Sequence, residues 1–328
     1  MLCDFLGAGG RARVAPATTI VAPWKRIARA TPHTVRPPVE LGALVDGLSC
    51  GESGTVTDPL ASVHMKLARA ALHFDLLNSQ IMAFLDTEPY AAEVREFDPQ
   101  TQSFAIRSVV KTYPAPGWSL LVADCIYNLR SALDHLAWTL ATDPKTGEAP
   151  ARTEFPIFLE RAKYQASSKS GTPERGSGLY KVRGMAMGAQ AAIEALQPYN
   201  RLDGPPELHP LWLLHQLSNE DKHRVLSIIG TVMEDSDLTL HLPPIDAEFS
   251  LDFEYGIPLE QEAEIGRLIF RPTGPKAKVD FEVAGTFFVA FGKSGAGRGR
   301  RVADTLADIA NFIAQRVLPE LEHFVWAS

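Results

Sequence analysis

The longest helix-period pattern in the chain fixes most of what it can fold into. From Trp118 to Ala141 the apolar residues Val122, Cys125, Ile126, Leu129, Leu133, Leu136 and Leu140 recur at steps of three and four, and the run stops before Asp143-Pro144. Side chains at that spacing form one stripe on an α-helix, and such a stripe has to be buried against a partner. A partner of the same kind lies upstream. Asp58 can cap a helix and Pro59 suits its first position, while Leu60, Val63, Leu67, Ala71, Phe74, Leu77 and Ile81 make a second stripe ending near Leu85. Further helices are expected over Met185 to Leu196 and over about Pro210 to Ile229, the latter between Gly204-Pro205-Pro206 and Gly230.

Between the first two helices, Ala92 to Phe97 and Ser103 to Val110 alternate and flank Asp98-Pro99-Gln100-Thr101, the pattern of a hairpin. Glu154 to Leu159 reads as a short strand, and the Ser/Gly/Lys-rich stretch from Ser167 to Gly178 as a mobile surface loop. Beyond Gly230 the period changes to two. Leu238/Leu240/Leu242, Phe249/Leu251/Phe253, Leu268/Phe270, Val279/Phe281/Val283 and Phe287/Val289/Phe291 alternate with polar residues, as antiparallel strands with one buried face do. A closing helix runs from Val302 to about Val317 or beyond. This order excludes a regular βαβ sheet and gives an α+β class: a helical bundle with an inserted β-hairpin, followed by an antiparallel sheet and a closing helix. The expected division is a disordered leader over 1–57, a bundle domain with its hairpin over 58–230, and a sheet plus C-terminal helix packed on the bundle over 231–328. The ordered pattern starts only at Asp58, with Met65 just inside it, so the leader is read as lying outside the core and could extend upstream of the true start.

With 328 residues, 45% of them hydrophobic, the chain can bury a large core without staples. The formal charge of -7 lacks the basic balance of a bulk nucleic-acid binder, which leaves room only for a local basic groove. Cys3, Cys50 and Cys125 are odd in number and in no ligand spacing, so a reducing cytoplasm is expected rather than a disulfide framework. No apolar run approaches the roughly 20 residues that span a bilayer, and no membrane association is expected. Gly292-Lys293-Ser294 follows a strand as a phosphate loop would, but Phe287 stands where a Walker A motif needs its first glycine. GxSxG, HExxH and GxGxxG motifs are missing too, so no cofactor and no metal set is specified.

Chemistry is concentrated in two polar segments. In Asn128-Leu129-Arg130-Ser131-Ala132-Leu133-Asp134-His135, the side chains of Asp124, Asn128, Ser131 and His135 share one stripe opposite the leucine seam, and Arg130 and Asp134 are four apart and can pair. In Ser218-Asn219-Glu220-Asp221-Lys222-His223-Arg224, the residues Asn219, Lys222 and His223 share a stripe with His215. If the two stripes face each other, a polar cleft results. The bland alternative is a solvated face with an ion pair worth little.

These two segments, with Phe155-Pro156-Ile157-Phe158 between them, resemble a group of bacterial proteins without an assigned activity over most of the chain after residue 58. Arg130 and His135 also fit the Arg-x4-6-His motif of HEPN domains, helical domains that often dimerise and in many defence systems cleave RNA without metal. The same spacing recurs at Arg26/His33 and Arg316/His323, but only Arg130/His135 sits on a strongly patterned polar helix face. The resemblance implies an RNA substrate and a homodimer with a shared cleft. It implies that His135 moves a proton at the 2'-hydroxyl or leaving oxygen and that Arg130 stabilises the phosphorane, with Asn128, Ser131 and Asp134 in support. Ser131 departs from the Asn that many active members carry there, and the hairpin and C-terminal sheet lie outside a minimal HEPN bundle. Two other readings stand beside it. One is a metal-dependent hydrolase drawing on His135, His215 or His223 with Asp124, Asp134 or Asp221. The other is a non-catalytic binding or accessory protein in which the polar side chains satisfy one another and fix helix register.

Overall fold

The computed structural model describes residues 58–232, 239–241, 247–253, 258–272, 282–284, 287–292 and 294–326, together with two short strands at 12–13 and 20–21. The two expected stripes form helices α1 (Ala61–Leu85) and α2 (Trp118–Ala141). They run antiparallel: Trp118 Nε1 at the start of α2 donates to Gln80 Oε1 near the end of α1 (2.8 Å), and Thr139 Oγ1 donates to the Pro59 carbonyl (3.4 Å). Between them Val63, Leu67, Phe74, Leu77 and Ile81 are buried with Val122, Ile126, Leu129, Leu133 and Leu136.

Short helices α3 (Arg161–Tyr164), α4 (Gly178–Val182) and α5 (Met187–Ala195) lead to α6 (Pro210–Asp221), which lies along α2. Helix α7 (Val302–Phe312) closes the bundle against α1 and α6, then continues through a π turn at Ile313–Val317 into α8 (Leu318–Trp326). Among the described residues, no helix is long and apolar enough to cross a membrane.

Strands β1 (Ala12–Arg13), β2 (Ile20–Val21), β3 (Tyr90–Asp98), β4 (Ser103–Val110), β5 (Ile228–Val232), β6 (Thr239–His241), β7 (Ala247–Phe253), β8 (Glu264–Pro272), β9 (Glu282–Ala284) and β10 (Phe287–Phe291) pair only antiparallel. They form a five-stranded sheet in the order β1-β7-β8-β4-β3, a three-stranded sheet β2-β6-β9, and the pair β10-β5. The class is α+β. The β3–β4 hairpin turns at Asp98, whose Oδ1 accepts the Gln100 N–H (2.8 Å) and whose Oδ2 accepts the Thr101 hydroxyl (2.7 Å). It is not a free-standing insertion, because β4 pairs on its far edge with β8 from the C-terminal half. Tyr90, Ile106, Leu259, Ile265 and Leu268 make a second, smaller core under this sheet.

Three elements differ from their sequence patterns. The expected strand at Glu154 to Leu159 does not form, since side chains rather than a neighbouring strand take its backbone groups. The helix expected to reach Ile229 ends at Asp221, and the β-branched Ile228 and Ile229 instead begin β5 against β10. The Ser167 to Gly178 stretch contains a small turn in which Ser167 and Pro173 bridge, and Gly178 already opens α4. Leu238, Leu242, Val279 and Phe281 of the alternating runs lie outside the described residues, as does the leader apart from β1 and β2.

Leu133 is fully buried at the α1/α2 seam. Leu133→Ala is expected to cost about 2–5 kcal/mol of stability, read as a lowered denaturant midpoint with an unchanged slope.

Candidate functional site

On the flank of α2, Arg130 and Asp134 stand one turn apart, with Arg130 Nη2 donating to Asp134 Oδ1 at 2.8 Å. The same Nη2 donates to the carbonyl of Phe155 (2.8 Å), and Asp134 Oδ1 accepts the Phe155 N–H (3.0 Å). One ion pair thus captures both backbone groups of a residue whose ring is wholly buried in the bundle core. Gln197 repeats the device three residues on: its Nε2 donates to the carbonyls of Pro156 (2.9 Å) and Ile193 (3.0 Å), and its Oε1 accepts the Phe158 N–H (3.0 Å). Both ends of 155–158 are pinned by side chains, which accounts for backbone groups satisfied without a sheet.

Charge accumulates beside this clip. Glu154, immediately before Phe155, pairs with Lys181 of α4, and His215 of α6 faces the same cluster. Burial pushes the Asp134 carboxyl upward, against the pull of Arg130 and the Phe155 N–H. At Glu154 burial also pushes upward, but Lys181, then Arg130, outweigh it and hold the carboxyl below its usual range. Burial, reinforced by the Arg130, Lys181 and Lys222 cations, lowers His215 to about 4. Asn219 Nδ2 donates to His215 Nε2 (3.1 Å), which leaves the proton of the neutral ring on Nδ1, and the Trp212 ring lies against the imidazole with centroids 5.3 Å apart.

The two polar segments therefore meet, but along one flank. Asp221 lies near Asp124 and His215 near Arg130, so α6 runs antiparallel to α2 and its polar side touches the Arg130/Asp134 flank. Of the stripe that carries His135, Asp124 shares in that contact through Asp221. Asn128 is buried and its Nδ2 donates to the Asp124 carbonyl (2.8 Å), so it serves its own helix. Ser131 and His135 are half-buried, and among the described residues neither side chain has a hydrogen-bond or ion-pair partner. At about 100° per residue, Arg130 and His135 point about 140° apart around α2. Asp221 is half-buried and its carboxyl is raised by burial and then by Asp124. Lys222, His223 and Arg224 fall beyond the end of α6 and are exposed, Arg224 pairing back to Glu220. The expected four-residue stripe on α6 thus reduces to His215 and Asn219. Among the described residues, no three His, Cys, Asp or Glu side chains gather as a metal site.

Several participants were invisible in the polar segments themselves. Glu154, Lys181 and Gln197 come from irregular or short elements with no periodicity. His209 had a local signal, since it precedes Pro210 at the start of α6: its Nδ1 accepts the Leu211 N–H (3.2 Å), and burial lowers it to about 4.

Comparison of the chain with protein-family models, with curated proteins and with solved structures finds no match. The reading of the site rests on its geometry alone.

Two outcomes follow. Arg130→Met leaves the Asp134 carboxylate and the Phe155 carbonyl without their donor, and should cost about 3 kcal/mol in chemical denaturation. His215 titrates lower folded than unfolded, so its neutral form stabilises above about pH 6.5, and that stabilisation is lost as pH falls toward about 4. Across that window the wild type should lose up to about 3 kcal/mol relative to His215→Gln, measured by urea unfolding at stepped pH.

Proposed function

We propose that this chain is a non-catalytic binding or accessory protein, in which the Arg130/Asp134 and His215/Asn219 pairs shape the bundle and seat the 154–158 segment. The observation that carries the reading is the engagement of Arg130. Its Nη2 is committed to Asp134 and to the Phe155 carbonyl, and its Nη1 is buried, with no hydrogen-bond partner among the described residues. A group that stabilises a phosphorane has to present free donors to the transferring oxygens. Here the uncommitted Nη1 is shut away from solvent, and reaching it would mean opening the ion pair that anchors a core segment. His135 lacks the other half of the apparatus as well, since among the described residues no side chain hydrogen-bonds its ring.

The test is incubation of a mixed RNA pool with purified protein in EDTA, alongside Arg130→Ala and His135→Ala. The wild type should leave the RNA intact. Arg130→Ala should lower the melting temperature, while His135→Ala should change stability by less than about 0.5 kcal/mol. Cleavage that leaves cyclic phosphate ends and disappears in folded His135→Ala would overturn the proposal in favour of a HEPN-type ribonuclease. Cleavage that appears only on adding zinc or manganese would overturn it in favour of the hydrolase.

A further inference from the structure

Helix α6 ends at Asp221, and the chain that leaves it runs beside the glycine-rich loop that follows β10. The Gly292 N–H donates to the Ser227 carbonyl at 2.8 Å, which ties the two segments together. Three glycines permit so close an approach. A side chain at Gly292 would meet that of Ser227, one at Gly297 would meet the Phe291 ring, and one at Gly295, whose φ is +96°, would meet the Glu220 carboxylate. Between the segments lies a cavity of about 190 Å³, against the roughly 10–15 Å³ that holds one water. Buried Leu226, Phe291 and Gly297 make its inner wall, and exposed Arg224, Val225 and Ser294 its rim.

The uncommitted polar groups around this cavity are chiefly donors. Glu220, the one carboxylate among the described residues that line it, is already paired with Arg224; that pair engages a single Nη of the guanidinium and leaves its other N–H groups without a partner among the described residues. The hydroxyls of Ser227 and Ser294 are free in the same sense, and so are the backbone N–H groups of Ser294, Gly295, Ala296 and Gly297. The carbonyls of Ser227, Gly295 and Gly297, by contrast, already accept from Gly292, Arg298 and Arg300. The charge of the loop has the matching sign, since 292–301 contains Lys293, Arg298, Arg300 and Arg301 and no acidic residue. Donors gathered beside a cation suit an oxyanion, and a phosphoryl group with its three terminal oxygens takes more of them than a carboxylate does. Phe291, Leu226 and Val225 give the same cavity an apolar side, on which the uncharged part of a ligand can lie.

We infer that this cavity binds a small organic phosphate. Its phosphoryl oxygens are taken by the Arg224 guanidinium, the Ser227 and Ser294 hydroxyls and the N–H groups of 294–297, and its uncharged part lies on Phe291, Leu226 and Val225. The site is not a Walker A loop, whose first glycine is replaced by Phe287; its donors come from two segments that the pairing of β5 with β10 brings side by side. It shares no residue with the Arg130/Asp134 clip and stands whether or not the chain is catalytic.

Phenyl phosphate is titrated into the full chain by isothermal titration calorimetry, with inorganic phosphate and benzoate as comparators and circular dichroism confirming that each variant is folded. Phenyl phosphate should bind once per chain with a dissociation constant below about 1 mM. Inorganic phosphate, which leaves the apolar side uncovered, should bind at least about threefold more weakly, and benzoate at least about tenfold more weakly. Arg224→Gln should weaken phenyl phosphate about tenfold or more at an unchanged melting temperature, since its exposed pair with Glu220 adds little to the fold. Val225→Asp sets a carboxylate on the exposed rim and should weaken binding to a similar extent. Arg175→Gln removes an exposed cation that does not line the cavity, and should leave the affinity as it is. A wild type without saturable binding of phenyl phosphate at about 10 mM would sink the inference. So would binding that Arg224→Gln and Val225→Asp leave unchanged, that Arg175→Gln weakens equally, or that inorganic phosphate or benzoate matches.

Discussion

Along the seam between α1 and α2, Leu67, Leu77, Leu129 and Leu133 are almost wholly removed from solvent, and the position of every outer element is referred to that contact. Each such side chain contributes about 1.5–3 kcal/mol by burial, several times what an exposed ion pair returns. Phe155 belongs to the same core and reaches it only because α2 offers a guanidinium and a carboxylate to its backbone. Helix α6 then lies on the flank so formed, and His215 loses its charge by being covered there.

That hierarchy explains which parts of the molecule could be seen in the sequence. The spans of α1 and α2 were legible because a period of 3.6 over some twenty positions leaves little choice of structure, and β4 was legible because alternation and a turn bounded it. The helix written through to Ile229 failed at its end for a local reason: Leu226 and Ile228 continue an apolar pattern, but Ile228 and Ile229 are claimed by a strand pairing with β10, which no local window contains. The Glu154 to Leu159 run has the pattern of a strand, yet its backbone partners are Asp134, Arg130 and Gln197 rather than another strand.

The candidate site was legible as composition but not as arrangement. Helical spacing correctly joined Arg130 to Asp134, a neighbour relation internal to one helix. It could not reveal that this pair would grip Phe155, nor that Glu154 and Lys181 would gather with it near His215, because those are meetings of separate elements. The polar stripe through Asn128, Ser131 and His135 has turned out to hold three different situations. Asn128 is bonded within its helix, whereas the Ser131 and His135 side chains are half-covered and have no hydrogen-bond partner among the described residues.

Strand β4 is shared between two parts of the chain that are made at very different times. Ser103 on β4 and Arg267 on β8 touch across 164 residues of sequence. At the usual pace of synthesis, about 5–20 residues per second, the hairpin leaves the ribosome roughly ten to thirty seconds before the strand that will cover its edge. During that interval the backbone donors and acceptors of β4 face outward, a template for any extended segment nearby. The bundle helices α1, α2 and α6 are complete by then. The nascent chain thus carries an open sheet edge while α7, which closes the bundle, has yet to be made, so its most dangerous moment comes before the last third of the polypeptide is complete.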